Sequence, residues 1–339
     1  MKALGGTGVM RSSLVAALAG LAVVSAVPLR AASRHPADAP VPAPARPAPA
    51  ATGSPPLRPL VLPPQPRVIV FSPHPDDETI GVGGLIARLA HQHVPLRVVF
   101  MTNGDGYPSA VKEDLDVKQP TDADYVAFGE IRQREAVAAL AHLGVPRREA
   151  RFLGFPDGGL ADLWRTHWLP SHPYTSPYTK ESSPLGPDGV DYDGQDLTSV
   201  LARLLREFRP SVIVMPHPYD VHLDHAHTTY FVTEALSSLQ ERGILPKRIT
   251  ILTYVVHYPS WPIRRGPSLD RLVPLPQLPD TTWAETDLAP RELRAKRAAL
   301  AEYRTQLEVM GGFLREFLCR NELLGRIDTR VLDRIASIH

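Results

Sequence analysis

The sequence predicts an α/β protein with a Rossmann-like, mostly parallel sheet flanked by helices in a single domain. Three observations carry that expectation. Short uninterrupted apolar runs, Val68-Ile69-Val70-Phe71 and Val212-Ile213-Val214-Met215 among them, have the composition of strands covered on both faces. Longer segments with helical spacing lie between them. The two kinds of segment alternate along the chain, as they do in βα units.

Taken in order, the first 30 residues have the make-up of a targeting segment. Lys2 and Arg11 precede an uncharged, mainly apolar run from Ser12 to Leu29, and Val24-Ser25-Ala26 offers small residues for cleavage. This is the pattern of a secretory signal peptide, the alternative being an uncleaved N-terminal anchor. Export to the periplasm or another extracytoplasmic space is therefore expected, with membrane contact only through that segment. Residues 31–66 are Ala/Pro-rich, and Pro36, Pro40, Pro42, Pro44, Pro47 and Pro49 follow closely on one another. Proline lacks an amide donor and favours extended backbone, so a disordered linker is expected there. The domain then runs over 67–339.

Within it, residues 83–92 read as a helix and 96–101 as a second buried strand. A helix over 125–143 stops at Gly144, a C-terminal cap signal. Asp196 is placed to cap a helix whose Leu197, Val200, Leu201, Leu204, Leu205 and Phe208 fall on one face. Pro210 ends it, the strand from Val212 follows, and 249–256 gives another strand. A late helix over 291–306 carries Glu292 and Lys296 at a favourable i,i+4 spacing.

Composition excludes several functions. The 339 residues contain 37 Lys plus Arg against 36 Asp plus Glu, a net charge of +1, so there is no basic field for nucleic acid. An apolar content of 43% excludes a wholly disordered chain. Cys319 is the only cysteine, which excludes an intrachain disulfide and any zinc site built on several thiolates. A metal would have to be held by His and carboxylate.

In parallel sheets, ligands bind at loops leaving the carboxyl ends of strands. Two such loops concentrate reactive side chains. The first is Pro73-His74-Pro75-Asp76-Asp77-Glu78-Thr79. Three consecutive acids repel one another, a cost that a bound cation reverses. His74 and Asp77, three apart in a tight turn, can point to one place while Asp76 projects elsewhere. The second runs from His217 to Thr228 and holds His217, Asp220, His222, Asp224, His225 and His227. His222 and His225, one turn apart at a helix start, can share a face. Two imidazoles and a carboxylate around one Zn²⁺, with room for water, form the open ligand set of a catalytic site. Bound zinc lowers the pKa of its water from about 15.7 to about 7. A free carboxylate can take the proton, and an imidazole can stabilise the oxyanion. Metal-assisted hydrolysis follows from these residue types.

The blocks His74-Pro75-Asp76-Asp77-Glu78 and His222-x-Asp224-His225 resemble those of the PIG-L/LmbE-like family of zinc-dependent N-acetylglucosaminyl deacetylases. Arg132-x-x-Glu135 before Leu143-Gly144, the loop Phe155-Pro156-Asp157-Gly158-Gly159-Leu160, and Lys296, Tyr303 and Gln306 are weaker matches. The resemblance implies one zinc per chain on His74, Asp77 and His225; Fe²⁺ or Co²⁺ suits the same donors. It implies Asp76 as general base, His222 as oxyanion stabiliser or proton donor with Asp224 orienting its ring, and Arg132 and Asp157 near the substrate. The alternative for Arg132 is a helix-surface residue paired with Glu135. The implied substrate is an N-acetylated sugar or glycoconjugate. Trp164, Trp168, Tyr174, Tyr178 and Tyr192, in the long connection 161–194, suit either a carbohydrate groove or a packed loop; the Trp261-Pro262 region is another candidate border. Two other functions compete: a metal-dependent phosphoesterase, with Asp220, His217 and Glu78 as further ligands, and a catalytically silent glycan-binding module.

Overall fold

The computed structural model describes residues 57–184, 190–266, 269–275, 278, 280–327 and 332. The expected signal segment and most of the expected linker lie outside the described residues. The strands are β1 (Arg58–Pro59), β2 (Val68–Ser72), β3 (Leu96–Thr102), β4 (Ala150–Phe155), β5 (Val212–Pro216), β6 (Thr250–Tyr254), β7 (Arg264–Arg265), β8 (Arg271–Leu272), β9 (Thr281–Asp287) and β10 (Asn321–Ile327). The helices are α1 (Asp77–His91), α2 (Pro108–Asp114), α3 (Asp122–His142), α4 (Leu160–Arg165), α5 (Gly194–Phe208), α6 (Leu223–Glu241), α7 (Pro290–Leu300) and α8 (Arg304–Arg315).

Eight strands form one sheet in the order β1-β9-β10-β6-β5-β2-β3-β4. The run β6-β5-β2-β3-β4 is parallel throughout, with Val68 beside both Leu96 and Val212. β10 is antiparallel to β6 and to β9, so the sheet is mixed rather than wholly parallel. Chain order reverses between β2 and β5, where the connections leave for opposite faces and open a crevice. The loops after these two strands are the two singled out by composition.

Alternation along β2 splits the core into two layers. Val68 and Val70 join Ile86, Val98, Leu140 and Val214 on one side, whereas Ile69 and Phe71 join Val99, Leu201, Ile213 and Phe231 on the other. Among the described residues, no helix is long and apolar enough to cross a membrane.

Four elements differ from the sequence expectation. The folded body begins before residue 67: β1 pairs with β9, and Leu57, Leu60 and Leu62 pack on the core. Apolar side chains outweigh the local proline signal there. α1 starts at Asp77 rather than near 83, and the glycines that obscured its start permit close packing. A Cβ on Gly81 would lie 2.5 Å from the Tyr254 ring. The helix breaks at Val82 (φ −145°), and Glu322 repairs the break by accepting the Gly84 and Leu85 amides at 2.7 and 2.8 Å. The cap of α5 is Asp193, not Asp196; its carboxylate accepts the Asp196 amide at 2.8 Å. The late helix is two helices, α7 and α8, and the break between them turns Tyr303 inward. Burial of α7 against α1 also splits the expected Glu292–Lys296 pair. Glu292 takes Arg88 at 2.7 Å, and Lys296 takes Glu322 at 2.7 Å and the Ile80 carbonyl at 2.9 Å.

Candidate metal centre

β2 ends at Ser72 and the chain turns through His74, Pro75 and Asp76 into α1. Asp76 sits at φ 127°, a conformation that costs a non-glycine residue of order 1–3 kcal/mol unless its surroundings impose it. They do. The Asp76 amide donates to Glu78 Oε2 at 3.2 Å, and the Asp76 carbonyl accepts the Thr79 and Ile80 amides at 3.0 Å each. Glu78, fully buried, receives the Tyr303 and Thr79 hydroxyls at 2.5 Å each and its own amide donates to Ser72 Oγ at 3.1 Å. The third acid of the Asp-Asp-Glu run therefore clamps the turn.

The same turn aims His74 and Asp77 together. Asp77 Oδ2 lies 3.0 Å from the His74 amide nitrogen and 3.1 Å from His74 Nδ1. From α6, the completely buried His225 brings Nε2 to 3.1 Å of that same oxygen. His74 Nε2 is held from behind by Asp157 Oδ1 at 3.0 Å and Asp224 Oδ2 at 3.2 Å. His222 caps α6, its Nδ1 accepting the Asp224 amide at 3.3 Å. In the neutral ring the proton is then on Nε2. Its centroid is 4.8 Å from that of His74 and 5.0 Å from that of His225.

Among the described residues, three overlapping trios each place one ligand atom per residue within 4.8 Å of the others: His74, His222 and His225; Asp77, His225 and His257; and His74, Asp157 and Asp224. The donor set suits a cation on two counts. Both ring nitrogens of His225 are buried without an aligned hydrogen bond, although each lies at ion-pair distance from a carboxylate. The proton affinities also show surplus negative charge. Burial alone would lower the His225 pKa, yet Asp77 and Asp220 push it up to about 10. Burial works against the Asp77 charge, yet His225 and His74 hold its carboxyl well below the usual range. A divalent ion would take the place of those imidazole protons.

Asp76 stands beside this cluster. Burial pushes it up to about 8, against the pull of the Arg132 guanidinium. Arg132 Nη2 donates to Asp76 Oδ2 at 3.1 Å and to the Pro75 carbonyl at 2.5 Å, and Nη1 donates to the Gly104 carbonyl at 2.6 Å. Burial also lowers His222 to about 4, helped by His74 and His225.

The structure thus brings together His74, Asp76, Asp77, His222, Asp224 and His225, and alters three expectations about their neighbours. Asp224 does not reach the His222 ring; its carboxylate accepts the Gly158 and Leu160 amides at 2.7 and 3.1 Å and supports His74. Arg132 is neither a surface residue nor Glu135's partner. It is 3% exposed and spent on Asp76 and two carbonyls, whereas Glu135 binds the Thr305 amide and hydroxyl at 3.0 and 2.6 Å. Asp157 is tied to His74 and to the Gly106 amide at 2.6 Å. Buried charges need partners, which is why all three turn to the protein itself.

Of the aromatic connection, Trp164, Trp168 and Tyr192 pack inward, whereas Tyr174 and Tyr178 stay half-buried. Trp164 meets Phe231 at 5.0 Å, Trp168 stacks on Phe231 at 6.0 Å, and Tyr192 donates to the Gly154 carbonyl at 2.9 Å. Trp261 is buried, its indole donating to the Val255 carbonyl at 2.9 Å. His217 spends both ring nitrogens, on Thr281 Oγ1 at 2.9 Å and the Tyr219 amide at 3.2 Å. With Glu78 also consumed, two of the three extra ligands of the phosphoesterase reading are engaged in the fold. Sequence reasoning missed Asp105, His257 and the part played by Asp220. Asp105 and His257 follow β3 and β6 at the same sheet edge, and that topology was the only signal pointing to them. Asp105 is 8% exposed, and burial pushes it up to about 7 with help from Asp157.

A Rossmann-like α/β protein with a His/Asp cluster at the switch point of its sheet is the class so defined. Residues 69–236 match the family model PIG-L, described as GlcNAc-PI de-N-acetylase. A 1D-myo-inositol 2-acetamido-2-deoxy-alpha-D-glucopyranoside deacetylase of Nocardia farcinica is 30% identical over 276 residues, 76% of this chain and 85% of the relative. The chain belongs to the PIG-L family. A deacetylase of the same name from Mycobacterium sp. (strain KMS) is 33% identical over 178 residues, 52% of this chain and 51% of the relative, so the chain spans about half the length of that relative. Among solved structures, N,N'-diacetylchitobiose deacetylase from Pyrococcus horikoshii gives a TM-score of 0.45 at 19% identity, over 74% of this chain and 75% of the other.

Proposed function

We propose that this protein is a zinc-dependent hydrolase that removes the acetyl group from an N-acetylglucosamine-type sugar in a glycan or glycoconjugate. The observation that carries the proposal is the convergence of His74 Nδ1 and His225 Nε2 on one oxygen of Asp77, at 3.1 Å each, beside an Asp76 that belongs to none of the ligand trios. Zinc on His74, Asp77 and His225 would supply Lewis acidity to water and to the acetyl carbonyl. Asp76, whose ionised form the Arg132 guanidinium and a bound divalent ion would favour, takes the proton of the attacking water, and either it or His222 delivers a proton to the amine nitrogen as the C–N bond breaks. Arg132 fixes the Asp76 carboxylate through Oδ2. His222, neutral with its proton on Nε2, donates a hydrogen bond to the developing oxyanion. Asp157 and Asp224 hold His74 in register, and the sugar enters over the exposed side of this cluster. The N-terminal segment supports an extracytoplasmic location, and N-terminal sequencing of the mature protein tests it.

The deciding experiment is acetate release from a panel of N-acetylated glycans and glycolipids, with metal content measured on the same sample. Acetate from an N-acetylglucosamine compound with one zinc per chain is expected. Two metals per chain with phosphate-ester cleavage instead would establish the phosphoesterase.

A further inference from the structure

We infer that Asp220 is a positioning residue that commits His225 to bind the metal through Nε2, by holding Nδ1 from behind. The inference rests on the metal-site half of the functional proposal and is independent of the substrate.

Asp220 lies in the loop after β5, two residues before His222, and is 4% exposed. Its Oδ2 is 3.3 Å from His225 Nδ1. The opposite nitrogen of the same ring, Nε2, faces Asp77 Oδ2 at 3.1 Å. One imidazole thus lies between two carboxylates of different kinds, at ion-pair distance from each. Asp77 sits in the cluster with His74, whereas Asp220 touches none of the other proposed ligands. Only one of the two nitrogens can carry the proton of a neutral ring, and the one pressed against Asp220 will. Nε2 is left with a lone pair directed at the metal position. A carboxylate behind a ligating imidazole fixes its tautomer and orientation and raises its basicity.

Asp220 is itself held rigidly enough for this task. Its Oδ1 accepts the His222 amide at 3.0 Å, and its Oδ2 accepts the Val256 and His257 amides at 2.9 and 3.0 Å. Its own amide donates to the His217 carbonyl at 2.9 Å. These contacts tie the loop after β5 to the loop after β6. One carboxylate therefore sets the His225 ring, the start of the α6 cap and the backbone at His257. The second-metal alternative for Asp220 requires free lone pairs turned toward the cluster, and its contacts occupy them.

The test uses the full-length protein, loaded with zinc or cobalt. In Asp220→Asn, which loses the charge and keeps an acceptor for the Val256 and His257 amides but not for the His222 amide as well, zinc affinity measured against a chromophoric chelator should fall about 10- to 100-fold. The visible absorption of the cobalt form should shift at the same time, a change that a merely structural role would not produce. Affinity within about two-fold of the parent, with an unaltered cobalt spectrum, overturns the inference. Should the variant not fold, the parent protein decides: with ¹⁵N-labelled histidine and zinc, the His225 ring should show metal on Nε2 and a slowly exchanging proton on Nδ1. Metal on Nδ1, or no metal-bound His225, overturns it. Acetate release is measured on the same samples: a folded, zinc-binding, inactive parent refutes the deacetylase proposal and leaves this one standing.

Discussion

Two buried ionic clusters lie on either side of α1, and they are built on opposite rules. Behind the helix, Lys296 and Glu322 are both fully buried, and each has aligned partners: Lys296 has Glu322 and the Ile80 carbonyl, and Glu322 also has the Gly84 and Leu85 amides. In front of it, His74, Asp77 and His225 crowd together, with both His225 nitrogens lacking an aligned partner. A satisfied network repairs the helix break at Val82 and serves the fold. An unsatisfied convergence of donors is poor scaffolding, and it makes chemical sense only around a cation. The contrast teaches that burial of charge does not distinguish a structural site from a functional one; completeness of partnering does.

Each variant below presses on that contrast. The largest effect is expected from Asp76→Asn, which should lower turnover about 10²- to 10⁴-fold while zinc content and melting temperature change little. Steady-state kinetics beside metal analysis checks this, and an unchanged rate would remove Asp76 as the base. Lys296→Met should act oppositely. It strands Glu322 in the core and should cost about 3–5 kcal/mol in denaturant unfolding, with turnover per folded molecule preserved. Zinc removal by chelation should return protons to the imidazoles of the front cluster and lower stability. Because binding to the folded state stabilises by mass action, restoring zinc to about 100 times its dissociation constant should return roughly 2.7 kcal/mol. The smallest change is expected from Tyr303→Phe. Glu78 keeps its Thr79 and Ser72 contacts, so the loss should be about 1–2 kcal/mol, read by thermal melting.

The comparison also shows what was legible beforehand. β2 and β5 were visible as uninterrupted apolar runs, and β3 and β6 as mainly apolar ones broken by Arg97 and by Thr250 and Thr253, because strands covered on both faces have little polar side to disguise them. α5 was visible by the single apolar face of Leu197, Val200, Leu201, Leu204, Leu205 and Phe208, and α3 by the Gly144 stop at its end. β9 and β10 were not: Glu285 and Glu322 interrupt their apolar pattern, and each acid has a partner that only the folded chain supplies, Arg271 for the first and Lys296 for the second. In the site, His74, Asp76, Asp77, His222 and His225 stood out because reactive residues were dense within short loops. Asp105 and His257 stand alone in their loops, so density could not reveal them. The pairing of Glu292 and Lys296 was read from helix spacing worth a few tenths of a kcal/mol, and burial of both residues against α1 easily outweighed it.

By itself the sequence determined the alternation of elements, the two loops rich in ligands and the chemistry those residue types permit, since these depend on neighbours a few positions apart. Tertiary structure alone decided who faces whom: Arg132 on Asp76, Asp224 on His74, Asp220 behind His225. Those pairings span the sheet or turn on ring orientation. Each is chosen because a charge taken out of water must find the nearest complementary group in space, whatever its distance along the chain.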